Sequence, residues 1–286
     1  FMDLANSLLG STRGGAAKMA VLASALFGSL SGSPISNVIT TGSITIPLMK
    51  KTGYKGTVAG AIEACSSTGG VFAPPVMGAT AFVMASMLGL PYTTIVICAV
   101  IPSVLYYLAL LIQVDVYAAR EGLKGLPKEN IPSFWKTLKN GWHYLIGFAV
   151  LIYALIFLKL ESQAPFYASL ILIILSQFKK ETRLKIKDFF SLIIQSGKVL
   201  IELVIILAGA GFIIGSLSFT GGALSLSSEI IAIAGGELLP LLLLGALVAF
   251  ILGMGVTITA VYVFLAVVLA PALITIGVEP LAAHFF

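Results

Sequence analysis

Three short runs rich in Ser, Thr, Asn and Gly interrupt an otherwise apolar chain, and they hold the residues best suited to chemistry. They are SGSPISNVITTG from Ser31 to Gly42, SSTGG from Ser66 to Gly70, and GMGVTIT from Gly253 to Thr259. Hydroxyl, amide and backbone carbonyl oxygens can replace the hydration shell of a small cation, whereas free N–H groups at a helix start attract a carboxylate. The runs therefore predict binding sites for small cations and for small anions.

The candidate binding residues in these runs either offer an oxygen or, like glycine, allow a tight backbone path and close approach of a ligand. They are Ser31, Gly32, Ser33, Ser36, Asn37, Thr40, Thr41, Gly42, Ser66, Ser67, Thr68, Gly69, Gly253, Met254, Gly255, Thr257 and Thr259. The alternative for any one of them is that a small residue only lets helices pack closely. Three grouped polar interruptions favour binding.

Glu63 is the only acidic residue between Lys55 and Val114. A carboxylate inside an apolar segment is costly and often functional, so Glu63 is a candidate proton carrier or a partner for a cation. It also lies about two helical turns from the basic residues near Lys55. A side chain that reaches the membrane surface, or one paired for structural reasons, is an equal alternative.

The composition is that of an integral membrane protein. Hydrophobic residues make up 58% of the 286, charged residues 10%, and the mean hydropathy is +1.06, whereas soluble domains carry about 25% charged residues. Tyr92 to Val114 and Leu203 to Ser228 contain no charged residue and exceed the roughly 20 residues that span a bilayer as a helix. The predicted fold class is all-α, because barrel strands would alternate apolar and polar residues.

Basic residues predict the topology, since Lys and Arg concentrate in cytoplasmic loops. The net charge of +5 lies in such loops, which argues against nucleic acid. Lys50 and Lys51 follow the first polar run and Arg13 precedes it, so both its ends face the cytoplasm and the run is the tip of a re-entrant helical hairpin. No Lys or Arg follows Lys198, so the last run is the tip of a second hairpin inserted from the outer face.

These assignments divide the chain into four parts. The first hairpin unit covers 1–117, with the re-entrant hairpin at 16–49, a broken helix at 56–88 that completes the first ion site, and a helix at 92–114. A cytoplasmic linker covers 118–141, two scaffold helices and a basic loop cover 142–188, and the second hairpin unit covers 189–286. Opposed broken elements, each followed by a proline (Pro47, Pro271), are the mark of an inverted-repeat secondary transporter.

Other motifs exclude or limit further functions. No Walker A pattern, Ser/His/Asp arrangement or Cys/His metal cluster occurs in the sequence, so we expect no enzyme activity, no catalytic residue and no cofactor. Cys65 and Cys98 are predicted to be small buried residues. Trp142, His143 and Tyr144 are predicted to begin a membrane crossing as an interfacial belt.

The first two runs also resemble a known family. GGAAKMAVLASALFGSLSGSPISNVITTGSITIPLMKKTGY and AGAIEACSSTGGVFAPPVMGATAF look like the large membrane subunit of tripartite ATP-independent periplasmic (TRAP) transporters. GLKGLP and GMGVTITAVYVFLAVVLAPAL fit the fused permease that works with binding proteins of the TAXI type. The resemblance covers essentially the whole chain, and the first motif is specific.

The resemblance implies ion-driven uptake of small organic acids across a bacterial or archaeal inner membrane, by an elevator-type movement of the hairpin-bearing domain. The implied partners are a periplasmic substrate-binding protein, a small membrane subunit or its fused equivalent, and membrane lipid. The coupling ion is sodium, the only metal expected, or a proton carried by Glu63. Because the family pattern continues into another broken helix with a Thr-Pro-Pro motif, the chain is expected to be a segment of a longer polypeptide.

Other functions stay open at this point. A standalone sodium-coupled dicarboxylate or citrate carrier also uses opposed hairpins, and SNVITT suits such a tip. A channel would conduct without stoichiometric ion coupling. A membrane scaffold protein would tolerate Asn37→Ala without functional loss.

Overall fold

The computed structural model describes residues 1–127, 129, 131–178 and 182–286. Within these residues the chain is all-helical, with no strand. The helices are α1 (Met2–Leu9), α2 (Gly15–Ser31), α3 (Pro34–Lys51), α4 (Gly56–Gly69), α5 (Ala79–Leu88), α6 (Tyr92–Arg120), α7 (Phe134–Ile156), α8 (Ala164–Ser176), α9 (Ile186–Thr220), α10 (Gly222–Ile233), α11 (Leu238–Gly253), α12 (Ile258–Thr275) and α13 (Pro280–Phe285). They form two compact units, one of 1–81 and 90–184 and the other of 82–89 and 185–286.

Helices α2 and α3 form a hairpin in the first unit. Gly32 ends α2 in the left-handed conformation, with φ +58°, which glycine adopts without strain. The Ser33 hydroxyl then accepts a hydrogen bond from the Ser36 N–H, and Pro34 occupies the first position of α3, as is usual at a helix start. Only Gly32 and Ser33 lie outside the helices, so the prediction of a long tip from Ser31 to Gly42 is wrong. The short Ser/Pro start signal lets the helix resume at once.

A loop from Gly70 to Gly78 separates α4 from α5, and it packs against this hairpin. The Cα atoms of Gly28 and Gly70 leave no room for a side chain between them, and Gly32 meets Gly78 equally closely. The Val76 N–H donates to the Ser29 carbonyl at 3.1 Å. Helix α4 and the loop after it therefore pack beside the hairpin, and their part in an ion site stays a prediction.

Hydroxyl groups on α6 donate to several carbonyls at this break. Ser103 donates to Phe72 O at 2.6 Å, and Tyr92 donates to Pro75 O at 3.1 Å. Tyr107 donates to Ser66 O at 3.0 Å, near the end of α4. Since unpaired backbone groups are costly at membrane depth, these hydrogen bonds reduce the free-energy cost of interrupting the helix there.

The opposite end of the hairpin is fixed by a mixture of packing and charge. Gly14, in the left-handed conformation, lies against Ala118 and the Tyr54 hydroxyl. Arg13 and Lys18 both form ion pairs with Asp115 near the end of α6. The base of α2 is therefore tied to the end of α6.

Helices α7 and α8 pack on each other, and α1 packs on α7. Helix α7 begins at Phe134, so Trp142 to Tyr144 lie inside this helix, and their place at the membrane interface stays a prediction. Ser133 occupies the N-cap position before the first helical residue, although its side chain makes no capping hydrogen bond. Lys128 in the linker and Lys179 and Lys180 of the third basic cluster lie outside the described residues.

The second unit is built from α9 to α13 around a small apolar core. This core includes Leu241, Leu269, Ala272 and Leu273. The α9–α10 boundary at Gly221, with φ +68°, interrupts the charge-free stretch from Leu203 to Ser228, which is therefore not a single helix.

Several helices are suited to a membrane. Among the described residues, α6, α9 over Ile186–Leu217, and α12 are long and apolar enough to cross a bilayer. Helices α10 and α11, bent by 115° at their junction, give a fourth candidate if the pair forms one span. The architecture is that of an integral membrane protein.

Both cysteines depart from their predicted burial. Cys65 and Cys98 are exposed in the structure. They lie on sides of α4 and α6 that the described chain does not cover. An apolar context in the sequence does not distinguish these sides from the packed ones, because a membrane helix is apolar all round.

Candidate functional site

A single carboxylate is buried where α2, α3 and α4 meet. The Glu63 side chain belongs to α4 and is fully buried, with 0% of its surface exposed. It therefore does not reach the membrane surface, which excludes that alternative. The α-carbon of Gly42 on α3 faces it, and a methyl group there would stand 3.0 Å from Glu63 Cγ.

Four hydroxyl groups surround this carboxylate, and we call them with Glu63 the Glu63 cluster. Ser24 on α2 and Ser67 on α4 donate to Oε1 at 2.9 and 3.3 Å. Thr41 on α3 donates to the same oxygen and Thr45 donates to Oε2. Each of the three helices thus supplies at least one hydrogen bond to a single buried acid.

Helical spacing brings these groups together. Residues four apart lie on one face of a helix, which places Asn37, Thr41 and Thr45 in a row on α3 and sets Ser67 beside Glu63 on α4. The Asn37 amide donates to Ser24 O at 2.9 Å, and its Oδ1 lies 3.1 Å from the Thr41 hydroxyl. The row connects the Glu63 cluster with the turn between α2 and α3.

The cluster contains no compensating positive charge. Within the described residues, Glu63 forms no ion pair, and the cations on the same helices are directed elsewhere. Lys18 on α2 pairs with Asp115, and Lys50 at the end of α3 is exposed. The arrangement can hold a negative charge by hydrogen bonds alone, or hold a proton on the acid.

The structure brings only some of the candidate residues of the first two runs together. Asn37, Thr41, Gly42 and Ser67 lie at the Glu63 cluster, whereas Ser66 is buried but donates to Ile62 O, and Gly69 packs against Tyr106 and Tyr107. Gly32 and Ser33 form the turn. The remaining candidates are exposed: Ser31, Ser36, Thr40 and Thr68.

Sequence reasoning missed Ser24 and Thr45. Thr45 could have been found, because it continues the four-residue spacing of Asn37 and Thr41 toward the level of Glu63. Ser24 is a single hydroxyl in the apolar α2, and only the packing of α2 on α4 shows that it faces the acid.

The third run lies in the second unit and is open. Gly253 ends α11 and Thr259 belongs to α12, so the break covers Met254 to Thr257, shorter than the predicted interruption. Gly253 and Gly255 have no atom within 4 Å of an added methyl group. Thr257 precedes α12 but its side chain makes no capping hydrogen bond.

Comparison with known proteins now identifies the family. The family model described as "Tripartite ATP-independent periplasmic transporter, DctM component" matches residues 1–286. The chain belongs to the DctM family. DctM proteins are the large membrane subunits of TRAP transporters, so the family role is that of a permease and not of an enzyme.

Three individual relatives have low sequence identity to this chain but align with most of its length. The C4-dicarboxylate TRAP transporter large permease protein of Pseudomonas aeruginosa is 25% identical over 98% of this chain and 65% of its own length. The corresponding Vibrio cholerae protein is 28% identical, over 71% of this chain and 49% of its own length. The isethionate TRAP transporter permease protein DctMQ of Oleidesulfovibrio alaskensis is 24% identical, over 99% and 44%. The chain thus spans less than two thirds of the length of these curated relatives.

Proposed function

We propose that this DctM-family chain forms the hairpin-bearing part of an elevator-type secondary transporter that takes up small organic acids. The observation that carries the proposal is the family match over all 286 residues. An ion gradient drives uptake, and a periplasmic binding protein delivers the substrate. The chain lies in the inner membrane of a bacterium or archaeon.

The two hairpins are proposed to enter the membrane from opposite faces as an inverted repeat. Support comes from the charge pattern and from the two breaks, at Gly32–Ser33 and at Met254–Thr257. Each break precedes a helix start, at α3 and α12, and helix starts favour anions. The negative charge of the substrate is proposed to be met there.

The substrate class follows from the relatives' names and remains a proposal for this chain. One relative is named for C4-dicarboxylates and another for isethionate, so an acidic headgroup on a small skeleton is the shared chemistry. The motifs GLKGLP and GMGVTIT support a fused permease of the TAXI type, with its small-subunit part in the same polypeptide or supplied separately.

Uptake into proteoliposomes tests this function. The full-length permease is reconstituted with and without its binding protein, and labelled organic acids are offered under separately imposed sodium and proton gradients. We expect uptake that requires the binding protein and one ion gradient. Uptake without the binding protein would identify a standalone carrier, and flux that needs no gradient would identify a channel.

Three substitutions, two on the buried side of α3 and one at the second break, test the proposed binding residues. Asn37→Ala, Thr41→Ala and Thr257→Ala should each abolish uptake while the protein still inserts into the membrane. Ser43→Ala is the control, because Ser43 is exposed and donates only to Thr40 O. Near-normal uptake by all three variants would overturn the site assignment.

A further inference from the structure

We infer that the segment from Gly122 to Leu126, which we call the clasp, holds the end of α6 on the base of the α2–α3 hairpin and stays closed during transport. The clasp lies in the GLKGLP motif, within the stretch predicted to be a linker. The inference goes beyond the proposed function, and it rests on that function in taking the hairpin to move during transport.

The clasp begins where α6 ends. Gly122 follows the helix in the left-handed conformation, with φ +67°. The Leu123 N–H donates to Ala118 O at 2.8 Å, and the Gly122 N–H lies 3.4 Å from Ala119 O. These two hydrogen bonds are typical of a helix that ends at a left-handed glycine and reverses its direction there. The chain therefore leaves α6 in a fixed direction.

The backbone of the clasp then docks on the turn between α1 and α2. A methyl group on Gly125 would overlap the carbonyl oxygen of Ser11 and stand 2.7 Å from that of Thr12. The next residue, Leu126, donates its N–H to Gly10 O at 2.8 Å. Glycine at position 125 thus permits a close approach of two backbones that any side chain would prevent.

Two leucine side chains of the clasp pack into the core at the hairpin base. Leu126 is buried in the core that includes Tyr54 and Leu110, and Leu123 packs against the same core. The Cδ2 atom of Leu123 also lies 2.9 Å from the position of a methyl group on Gly53, in the turn between α3 and α4. The clasp therefore contacts both ends of the hairpin as well as α6.

These contacts favour a hairpin base and an α6 end that move together. Displacing one from the other would expose the Leu126 side chain, which loses the free energy of apolar burial. It would also break the hydrogen bond from Leu126 to Gly10 O, and a hydrogen bond lost in the interior is costly. The ion pairs of Arg13 and Lys18 with Asp115 cross the same junction. Packing, a backbone hydrogen bond and charge thus all oppose separation.

Thiol labelling of the full-length permease tests whether the clasp is closed. With its native cysteines replaced by alanine, the permease carries either Leu126→Cys or Lys124→Cys and is treated in proteoliposomes with a membrane-permeant maleimide. Lys124 is exposed and Leu126 is buried, so Leu126→Cys should react at least about tenfold more slowly, both at rest and during uptake. Equal rates at rest, or faster labelling of Leu126→Cys during uptake, would overturn the inference.

One methyl group should release the clasp. Added to Leu126→Cys, the substitution Gly125→Ala should raise the labelling rate by about tenfold or more, because overpacking favours the open form. Gly56→Ala is the matched control at the hairpin base, since its methyl group would stand 3.9 Å from Lys50 Cε, an ordinary contact. Unchanged labelling in a folded Gly125→Ala protein would contradict the inference.

Hydrogen exchange on the unmodified permease gives a test that needs no substitution. Peptides containing the N–H groups of Leu123 and Leu126 should exchange slowly, because both groups are hydrogen-bonded, and adding the substrate-loaded binding protein should not accelerate them. Exchange as fast as that of an unstructured peptide would show a flexible linker in place of a clasp.

The clasp and the proposed function fail in different ways. If the wild type takes up no organic acid under any gradient, the proposed function is wrong, and labelling at rest and hydrogen exchange still decide whether the clasp is closed. If uptake proceeds with the binding protein but Leu126→Cys reacts as fast as Lys124→Cys, only the clasp is wrong.

Discussion

The two helix breaks of this protein differ in what surrounds them. At the first, Gly28, Gly32, Gly70 and Gly78 bring backbones into direct contact, and polar side chains nearby are buried and hydrogen-bonded. At the second, from Met254 to Thr257, the side chains are exposed, and a methyl group added to Gly255 or to the neighbouring Gly253 would have no atom within 4 Å. Similar residue types thus build a closed structure in one unit and an open one in the other.

The difference shows what a break requires at membrane depth. Backbone groups freed by an interruption need partners, and the first break obtains them from α6, through Ser103, Tyr92 and Tyr107. The second break has no corresponding helix of hydroxyl donors within the described part of its unit. Glycine and threonine permit a break, but neighbouring elements decide whether it becomes a binding site.

The largest expected difference between the two breaks comes from adding one methyl group to each. In Gly70→Ala the new carbon would stand 2.5 Å from Gly28 Cα, so we expect the free energy of unfolding to fall by about 3 kcal/mol. Gly253→Ala meets no atom and should change it by at most about 0.5 kcal/mol. Thermal unfolding of the full-length permease in detergent measures both. Equal shifts would show that the first break is not closed in the membrane.

A smaller effect should come from removing one hydroxyl of the Glu63 cluster. Thr45→Val keeps the shape of the side chain but leaves Glu63 Oε2 without its donor, so we expect a loss of about 1–2 kcal/mol. Ser43→Ala, two residues away on the exposed side of α3, should have no measurable effect. The same unfolding assay compares the two. An equally stable Thr45→Val protein would mean that burial of the acid does not depend on this bond.

The ion pairs at the base of the first hairpin should contribute less than its packing. The side chains of Arg13 and Asp115 are 54% and 31% exposed, so solvent screens them and Asp115→Asn should lower the free energy of unfolding much less than Gly70→Ala does. High salt should reduce this difference. A loss as large as that of Gly70→Ala, or one that salt leaves unchanged, would show that charge holds the hairpin base.

The smallest expected change in stability is at the second break. Thr257 makes no capping hydrogen bond, so Thr257→Ala should alter the free energy of unfolding by less than about 0.5 kcal/mol, although we expect it to abolish uptake. Thr41→Ala should reduce both stability and uptake. Measured side by side, the two variants distinguish an open site that acts only in transport from a packed site that also supports the fold. A large loss of stability in Thr257→Ala would contradict the open arrangement.

The fold class and the positions of the helix breaks could be predicted from local sequence. Composition and long apolar stretches predict an all-helical membrane protein, and this is confirmed by the helices themselves and by the DctM match over the whole chain. The breaks were also predictable, since Gly, Ser and Pro cluster at them. The length of the first break could not be predicted, because Ser33 and Pro34 restart a helix that the following Asn and Thr residues continue.

The tertiary structure decided what the polar residues do. Hydrophobic periodicity cannot show which side of an apolar helix is packed, so Cys65 was predicted to be buried and is exposed, while Ser24 was overlooked and faces Glu63. Whether Glu63 reached the surface or lay buried depended on three helices meeting around it. The sequence by itself determined that a carboxylate lies in an apolar segment. Only the packing of α2, α3 and α4 determined that four hydroxyls enclose it, because those contacts join residues up to 39 positions apart.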